Sequence, residues 1–377
     1  MTTRPIALLL CAALLLTLAG CGSPRQVNDT RAGAPEPERT APQTEQGQTL
    51  PPAAEAPEQP RSTEASFPLL ARAFSDAESE DMANLNARRC ALLVVNYYYC
   101  RCLYADGSSA LVRYEIVDNN LRHRSVLTPD CPADFLSESE GRLYYLNADG
   151  AAESVGTDGS GRRVELDAPC LSLQLFNGAL YCLLADGTLL ALRGGEKEAL
   201  LAGCARAFVS EQGVFYTAAS DGRAHLFDPE ALTDVTLTAE AALCPTLIGT
   251  TLYYAAEEAD GRHLRALDLA DGAQRRMAQA FRGELEFFRG WDGQWRLRLD
   301  GLGGAAGQQT FFLAAAFDAA PAVQSAADAY RRLCRGLGDG LRTDELFSAD
   351  GAALGFELVL PGGGAHTSLA ADNPPEK

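Results

Sequence analysis

The feature that most constrains this chain is an Asp-Gly pair that follows an apolar segment and recurs along the sequence. The pairs begin at Asp106, Asp149, Asp186, Asp221, Asp260 and Asp300, at intervals of 35–43 residues. A second apolar segment follows most of them, as in "GALYCLLADGTLLALR". Aspartate and glycine tolerate the positive φ angles of a tight turn, so each pair indicates a β-hairpin. The chain is therefore expected to repeat a pair of strands along its length.

Each unit also contains a second polar interruption about ten residues after the Asp-Gly pair, as in "GTDGSGRR" and "DPEALTD". This spacing predicts four short strands per unit. One such sheet cannot bury both of its faces alone, so neighbouring units must stack around an axis. We therefore predict an all-β fold, a β-propeller of six or seven four-stranded blades. The doubled tyrosines of "GRLYYLNADG" fit blades that are covered on both faces.

The repeat, written as "LYYxxxDG…L", is similar to the repeats of bacterial propeller domains of the TolB and YWTD types. The resemblance covers residues 90–320. The Gly-His and Trp-Asp motifs of WD40 blades are missing from the repeat positions; Trp291-Asp292 does occur, but it leads into Gly293 at a turn. The Gly-Gly pairs do not recur as in kelch repeats. The resemblance implies an architecture and carries no catalytic motif.

The flanks of the repeat region are expected to close the ring, because an open edge strand invites aggregation. The predicted propeller domain spans residues 66–377, with flanks 66–89 and 321–377. The apolar segments 67–74 and 354–360 are expected to be strands that meet in a shared or seventh blade. Between them, one face of a short C-terminal helix is predicted from the spacing of Val323, Ala326, Tyr330, Leu333 and Leu337.

The amino terminus has the form of an export signal. One arginine precedes an apolar segment, residues 6–18, that is short for a membrane span and ends in Leu-Ala-Gly-Cys. That tetrapeptide resembles the lipobox of bacterial lipoproteins, which implies a signal peptide over 1–20 and lipidation, with palmitate, at Cys21. The alternative is an ordinary secretory signal with a chance cysteine. Residues 21–65 are rich in Pro, Glu and Thr, so we expect them to be a disordered tether.

The net charge of the chain and its expected location restrict the classes of partner. The chain carries a formal charge of −18, which argues against nucleic acid or anionic lipid as a ligand. The lipid would hold the domain at the extracytoplasmic face of a cell membrane. We expect a protein or glycan of the cell envelope as partner, and its identity is left open.

Nine cysteines lie beyond the signal and Cys21, and five of them hold a repeat position near the start of a blade. These five are Cys90, Cys131, Cys170, Cys204 and Cys244. One hypothesis is a ring of thiols along the innermost strands that binds a soft metal. The other is that a small buried residue is required where the first strands crowd together. Close Cys pairs with histidines, typical of metal sites, are missing, so no metal is predicted.

Catalytic motifs are missing as well. The chain has four histidines, and two of them, His225 and His263, follow Asp-Gly turns, where exposed strand positions are expected. No nucleophile elbow, His-Glu-x-x-His or phosphate-binding loop occurs, so no catalytic residue and no cofactor are predicted. The sequence thus favours a binding or scaffolding module rather than an enzyme. The alternative is an envelope lyase or hydrolase acting on cell-wall carbohydrate or peptide at the channel mouth.

Overall fold

The described part of the protein consists mainly of short antiparallel strands. The computed structural model describes residues 62–64, 66–103, 108–117, 120–289, 293–304, 309–318, 331–336, 342–347, 353–359 and 367–369. All of them belong to one compact unit, Glu58–Lys377. The strands form seven sheets, and one α-helix lies in the described residues.

The first three sheets, blades 1 to 3, each contain four strands in chain order. Blade 1 contains β2 (Ala91–Val94), β3 (Tyr97–Leu103), β4 (Ser109–Val117) and β5 (Asn120–Pro129). Blade 2 contains β6 (Asp134–Ser139), β7 (Arg142–Leu146), β8 (Ala152–Gly156) and β9 (Arg163–Leu166). Blade 3 contains β10 (Cys170–Phe176), β11 (Ala179–Leu184), β12 (Leu189–Arg193) and β13 (Glu196–Leu201).

Blades 4 and 5 repeat this order, and blade 4 gains an additional strand. Blade 4 contains β14 (Cys204–Ser210), β15 (Gly213–Ala218), β16 (Arg223–Asp228) and β17 (Thr233–Ala241), with β1 (Ser62–Glu64) parallel to β17 at its outer edge. Blade 5 contains β18 (Leu243–Ile248), β19 (Thr251–Glu258), β20 (Gly261–Asp268) and β21 (Gln274–Arg276).

The last two sheets differ in size. Blade 6 has three described strands, β22 (Leu285–Arg289), β23 (Trp295–Asp300) and β24 (Gln309–Leu313), with short 3-10 turns at Leu302–Gly304 and Ala314–Ala316. Blade 7 contains β25 (Arg331–Gly336), β26 (Arg342–Phe347), β27 (Ala353–Val359) and β28 (Thr367–Leu369).

Consecutive blades pack face to face through apolar cores. Separate buried cores join blades 1 and 2, blades 2 and 3, blades 3 and 4, blades 4 and 5, and blades 5 and 6. The backbone of β25 also contacts β22. Sheets stacked in this order are the architecture of a β-propeller, as the repeat predicted. The first strands of neighbouring blades contact one another, β2 with β6, β6 with β10 and β10 with β14, so they lie innermost, around a central channel. The turns alternate between two faces because each sheet is a meander.

The doubled tyrosines are buried on both faces of their strands, as predicted. Tyr98 and Tyr99 are each 1% exposed, and they point into different cores. Tyr145 packs between blades 1 and 2, whereas its neighbour Tyr144 packs against the core between blades 2 and 3. Adjacent side chains on a strand point to opposite faces. The Tyr144–Tyr145 pair therefore joins blade 2 to the blades on either side of it, whereas Tyr98 packs in a core formed by blade 1 residues.

The described Asp-Gly pairs of the repeat, at Asp149, Asp186, Asp221, Asp260 and Asp300, all lie between the second and third strands of a blade. The corresponding turn after Asp106 lies outside the described residues. We call the end of the ring that carries these turns the Asp-Gly face, and the other end the opposite face. In blade 3, the Asp186 carboxylate accepts a hydrogen bond from the Thr188 N–H at 2.9 Å, which fixes the turn.

These turns also join each blade to the next one. The Gly187 carbonyl accepts a hydrogen bond of 2.9 Å from the Cys204 N–H, where the first strand of blade 4 begins. The Gly150 carbonyl accepts the equivalent bond from Cys170. Gly187 has a φ of +86°, and a Cβ there would lie 3.0 Å from the Cys204 carbonyl oxygen. The recurring glycine is thus required by the turn and by the adjacent blade.

Two expectations about the flanks need correction. The predicted helix around 321–337 is wrong in its last part, because Arg331–Gly336 forms strand β25 and pairs with β26; residues 319–330 lie outside the described residues. The segment 67–74 contains no strand; Leu70 and Phe74 instead fill the core between blades 4 and 5. The helix in the described residues is N-terminal, α1 (Asp76–Asn86).

Candidate functional site

Helix α1 begins at a well-formed N-terminal cap. The Ser75 hydroxyl accepts a hydrogen bond from the Glu78 N–H, and the Glu78 carboxylate accepts one from the Ser75 N–H. This capping box satisfies two backbone donors near the helix start. Asp76 and Glu78 also place negative charge in the first turn, where the helix dipole favours it. The local sequence therefore starts a helix although it offers few apolar residues.

Arg72 fixes the chain where it turns into α1. Its guanidinium donates two hydrogen bonds of 2.7 Å to the Glu78 carboxylate and one of 2.9 Å to Glu211. Glu211 lies in the turn between β14 and β15, so this contact attaches the helix start to the opposite face of blade 4. The hydrogen bonds from Arg72 lower the pKa of Glu78 to about 2. The carboxylate is therefore ionised throughout the neutral range.

Helix α1 lies in the central channel. It contacts β10, β14, β18 and β22, which are the innermost strands of blades 3 to 6. Met82 is buried in the core between blades 4 and 5, and Ala83 is buried in the core between blades 5 and 6. An 11-residue helix is about 16 Å long, and a strand of six or seven residues is about 20 Å long. The helix therefore spans most of the channel beside these strands.

Blade 6 holds the amino-terminal end of α1 through a charged cluster. Arg289 contacts Asp76 at 2.7 Å and Glu80 at 3.3 Å. The Trp295 indole N–H donates a hydrogen bond of 3.2 Å to the other oxygen of Asp76. Arg289 ends β22 and Trp295 begins β23, so both lie at the opposite face. The helix therefore enters the channel from that face.

The carboxyl-terminal end of α1 is bound near the Asp-Gly face. The Asn86 amide donates to the Pro245 carbonyl at 2.8 Å and to the Thr246 hydroxyl at 3.0 Å. Arg89 donates from Nε to the Leu136 carbonyl and accepts a hydrogen bond from the Leu136 N–H, both at 2.8 Å. The chain then starts β2 of blade 1. The N-terminal segment thus passes through the ring from one face to the other.

The channel is therefore occupied by the protein's own helix. A substrate that entered the channel beside blades 3 to 6 would have to displace Met82 and Ala83 from buried cores. The two faces of the ring, built from turns, remain available to a partner. Exposed apolar side chains occur in turns of the opposite face, at Val95 (83% exposed) and Leu232 (68% exposed).

Val95 and Leu232 are also strained. Their φ angles are +54° and +53°, in the left-handed region that branched and bulky residues rarely adopt. Backbone strain of this kind is concentrated at functional sites. These two turns, between β2 and β3 and between β16 and β17, are therefore the best candidates for contact with a partner.

His225 is buried, in contrast to the exposed position expected for it. Its Nδ1 lies 3.1 Å from Asp234 Oδ2, and the same oxygen accepts a hydrogen bond of 3.1 Å from the Tyr216 hydroxyl. The Tyr216 ring stacks on the imidazole. His225 and Tyr216 thus share one carboxylate oxygen of Asp234, and the three side chains form a polar network between the strands of blade 4.

His263 is also buried and has separate partners in blade 5. Its Nε2 lies 3.0 Å from Asp260, and its Nδ1 lies 3.1 Å from the Met277 carbonyl. The hydrogen bond with His263 lowers the pKa of Asp260. The two histidines therefore do not act as a pair, because each is bound to a carboxylate of its own blade.

Glu258, Asp260 and His263 offer ligand atoms that lie within 4.8 Å of one another. Arg276 contacts Glu258 at 2.6 Å and Arg265 contacts it at 2.9 Å. The hydrogen bonds from Arg276 help to lower the pKa of Glu258 to about 2. The two guanidinium groups already supply the positive charge that a metal ion would bring, so an ion network accounts for this cluster.

The repeat cysteines lie at the starts of the innermost strands, where the sequence placed them. Cys131, Cys170, Cys204 and Cys244 are buried. Cys131 packs between blades 1 and 2, and Cys204 packs between blades 3 and 4. Burial raises the pKa of Cys131 and of Cys204 to about 12 in each case. Among the described residues, the group of neighbouring ligand atoms includes no cysteine. These contacts agree with the packing hypothesis for the repeat cysteines.

The remaining predicted site residue, Cys21, lies outside the described residues, as do the signal segment and most of the tether. Within the part of the chain that the structure describes, no helix has the length and apolar character needed to cross a membrane. Sequence reasoning missed α1, although Ser75 and Glu78 form a Ser-x-x-Glu capping-box pattern that signals a helix start.

No protein-family model matches this sequence, and no curated protein matches it significantly. Solved structures do match its fold. A puromycin-hydrolysing peptidase from Mycobacterium tuberculosis matches with a TM-score of 0.50 and 13% identity, over 84% of this chain and 57% of the peptidase. BamB from Moraxella catarrhalis matches with a TM-score of 0.38 and 12% identity, over 74% of this chain and 87% of BamB. The designed protein Ika8 matches with a TM-score of 0.43 and 11% identity, over 74% of this chain and 85% of Ika8. At these identities the similarity concerns the fold alone, which is that of a β-propeller.

Proposed function

We propose that this protein is a lipid-anchored, extracytoplasmic β-propeller that binds or scaffolds a protein or glycan of the cell envelope. The observation that carries the proposal is α1 in the central channel. An enzyme site at the channel mouth needs a funnel for substrate, whereas here a buried helix contacts the inner strands of blades 3 to 6. Turn faces then remain as the recognition surface, and turns are where rigid scaffolds usually carry function.

The anchoring part of the proposal rests on the lipobox-like sequence that ends at Cys21. The experiment is fractionation of cells that express either the full chain or the Cys21→Ser variant, with metabolic labelling by palmitate. We expect the wild-type protein in the membrane fraction with label and the variant without label. An unlabelled wild-type protein in the soluble fraction would contradict lipidation.

The binding part places the partner on the opposite face, at the turns of Val95 and Leu232. We propose capture from envelope extracts with the wild-type chain and a Val95→Asn/Leu232→Asn double variant. Asparagine tolerates a positive φ, so the double variant should keep its stability while losing the apolar contacts. Val164→Asn, at a 55% exposed position on the edge strand β9, is the matched control.

We expect the wild type and the Val164→Asn control to capture the same partner and the double variant to lose it. Equal capture by all three would contradict this surface. Hydrolysis or cleavage of cell-wall polymers by the purified chain would contradict the binding function and favour the enzyme alternative. Digestion of the captured material with protease or glycosidase would identify its class.

A further inference from the structure

Blade 3 contains two cysteines on the same face of neighbouring strands. Cys170 starts β10 and is paired with Leu184 of β11, and Cys182 lies two residues before Leu184. Side chains two residues apart on a strand share a face, so both thiols point to the same side of the sheet. A bulge between Cys170 and Ser172 shifts the register there. The two cysteines are thus diagonal neighbours across one hairpin.

The two thiols share one buried apolar core. Both side chains are buried in the core between blades 2 and 3, with Cys170 8% exposed and Cys182 fully buried. A hydrogen bond between the two thiols raises the pKa of Cys182 and lowers that of Cys170. The Cys170 thiol itself donates to the Ala168 carbonyl at 3.3 Å.

Blade 4 offers an internal comparison. Cys204 starts β14 and is paired with Ala218, and the residue two positions before Ala218 is Tyr216. Tyr216 therefore occupies the position that Cys182 holds in blade 3. A tyrosine fits this position of the repeat in blade 4, so packing alone does not require a second thiol in blade 3.

We propose that Cys170 and Cys182 form a disulfide that closes the first hairpin of blade 3. This inference rests on the extracytoplasmic location proposed above, because disulfides persist in oxidising compartments. The oxidant is a disulfide-bearing thiol carrier, either a protein or a small molecule. The Cys170 thiolate attacks one sulfur of that carrier and expels one carrier thiolate, and the Cys182 thiolate then attacks Cys170 Sγ and expels the second carrier thiolate.

The carrier disulfide is thereby reduced to two thiols, and the two cysteines lose two protons and two electrons in total. Because the folded pair is buried, the reaction occurs while the hairpin is forming. Strands β10 and β11 are joined by a tight turn at Asn177 and Gly178, so they meet early.

The test is peptide mapping of the full chain refolded with oxidised glutathione. Trypsin leaves both cysteines in one peptide, residues 164–193, since no lysine or arginine lies between Arg163 and Arg193. We expect this peptide to be two hydrogens lighter than its reduced form and unreactive to iodoacetamide. Chymotrypsin, which cuts after Phe176, should yield two fragments that separate after reduction. A peptide with two alkylated cysteines would overturn the proposal.

Thermal unfolding with and without reductant supplies a second measurement. A disulfide across a short loop should raise the Tm of the oxidised wild type by about 3–8 °C. Cys182→Ser and Cys182→Ala should both remove this difference, whereas Cys204→Ser, which has Tyr216 in place of a partner thiol, should retain it. A redox-dependent Tm in both Cys182 variants would also overturn the proposal.

The two proposals can fail separately. If the refolded protein forms the disulfide but the protein isolated from its own cells is reduced, the extracytoplasmic location is wrong and the pairing stands. If the protein is exported and lipidated but the peptide stays reduced, the pairing is wrong and the location stands.

Discussion

The glycine of the Asp-Gly turns has two roles, and the sequence pattern indicated only one of them. The pattern predicted tight turns, because Asp and Gly suit positive φ angles. The structure adds that the glycine carbonyl accepts a hydrogen bond from the next blade, as Gly187 does from Cys204. This contact joins the turn of one blade to the first strand of the next blade, so local turn chemistry could not predict it.

Replacing Gly187 with alanine should therefore weaken the junction between blades 3 and 4. Gly178 is the matched control, since its φ is +71° but a Cβ there meets nothing within 4 Å. The positive φ alone should lower the free energy of unfolding by about 1–2 kcal/mol in both variants. Gly187→Ala should lose about 1–2 kcal/mol more through crowding against Cys204. Urea unfolding measures both, and equal losses would show that the close contact contributes nothing.

The burial of His225 and His263 was also not predicted from the sequence. His225 and His263 were expected to be exposed because they follow turns, yet each is buried against a carboxylate. Their partners Asp234 and Asp260 lie on different structural elements, a strand and a turn. Which partner covers a histidine depends on the register of the sheet, and the sequence pattern did not specify that register.

Among the secondary-structure elements, the repeated strands were predictable, whereas a C-terminal helix was predicted where strand β25 forms and helix α1 was missed. The segment that contains Arg331–Gly336 had an apolar spacing compatible with a helix, but strand pairing with β26 prevails there. Helix α1 has weak apolar periodicity, since it is surrounded by the ring and buries small and polar residues such as Ser79 and Asn84. In both segments, contacts with neighbouring strands determined the secondary structure more than the local sequence did.

The start of α1 makes stability depend on pH. Arg72 lowers the pKa of Glu78 to about 2 from an ordinary value of 4.5. Because the folded-state pKa is depressed, this carboxylate contributes stability above pH 4.5, and the contribution is lost as the pH falls from there towards 2. Glu78→Gln should therefore lower the Tm at pH 7 and leave it nearly unchanged at pH 2.

The control for this prediction is Glu230→Gln, in an exposed turn of blade 4, which should follow the wild-type profile of Tm against pH. Arg72→Gln should behave like Glu78→Gln, because either substitution removes the same pair. A Glu78→Gln deficit that is as large at pH 2 as at pH 7 would contradict the role of the ion pair.

For the molecule as a whole, the repeat predicted a ring of blades, and the residues before the repeat supply the helix that occupies its channel. Leu70, Phe74 and Met82 all join the core between blades 4 and 5. The N-terminal segment is therefore part of the folded domain rather than a continuation of the tether. Residues 66–89 were expected in the domain as a flank with a strand at 67–74, and the sequence pattern did not indicate that part of this flank fills the channel as a helix.

Two truncated chains should distinguish the contribution of the tether to stability from that of the N-terminal segment in the core. A chain that begins at residue 66 loses the tether and the short strand β1, so its Tm should stay within a few degrees of the full chain. A chain that begins at residue 88 also loses Leu70, Phe74 and Met82, which should cost about 5–9 kcal/mol of stability. That is most of the stability of a typical domain. Circular dichroism melts of both would test this, and equal Tm values would contradict a structural role for α1.

The passage of the N-terminal segment through the channel also has a consequence for biosynthesis. Residues 66–89 leave the ribosome before any blade does, so the axial helix is available when the first interblade contacts form. Each later blade can then assemble around a segment that is already present. A circular permutation that moved this segment to the carboxyl terminus would require threading it through a nearly completed ring, and such a chain should fold far more slowly than the natural order.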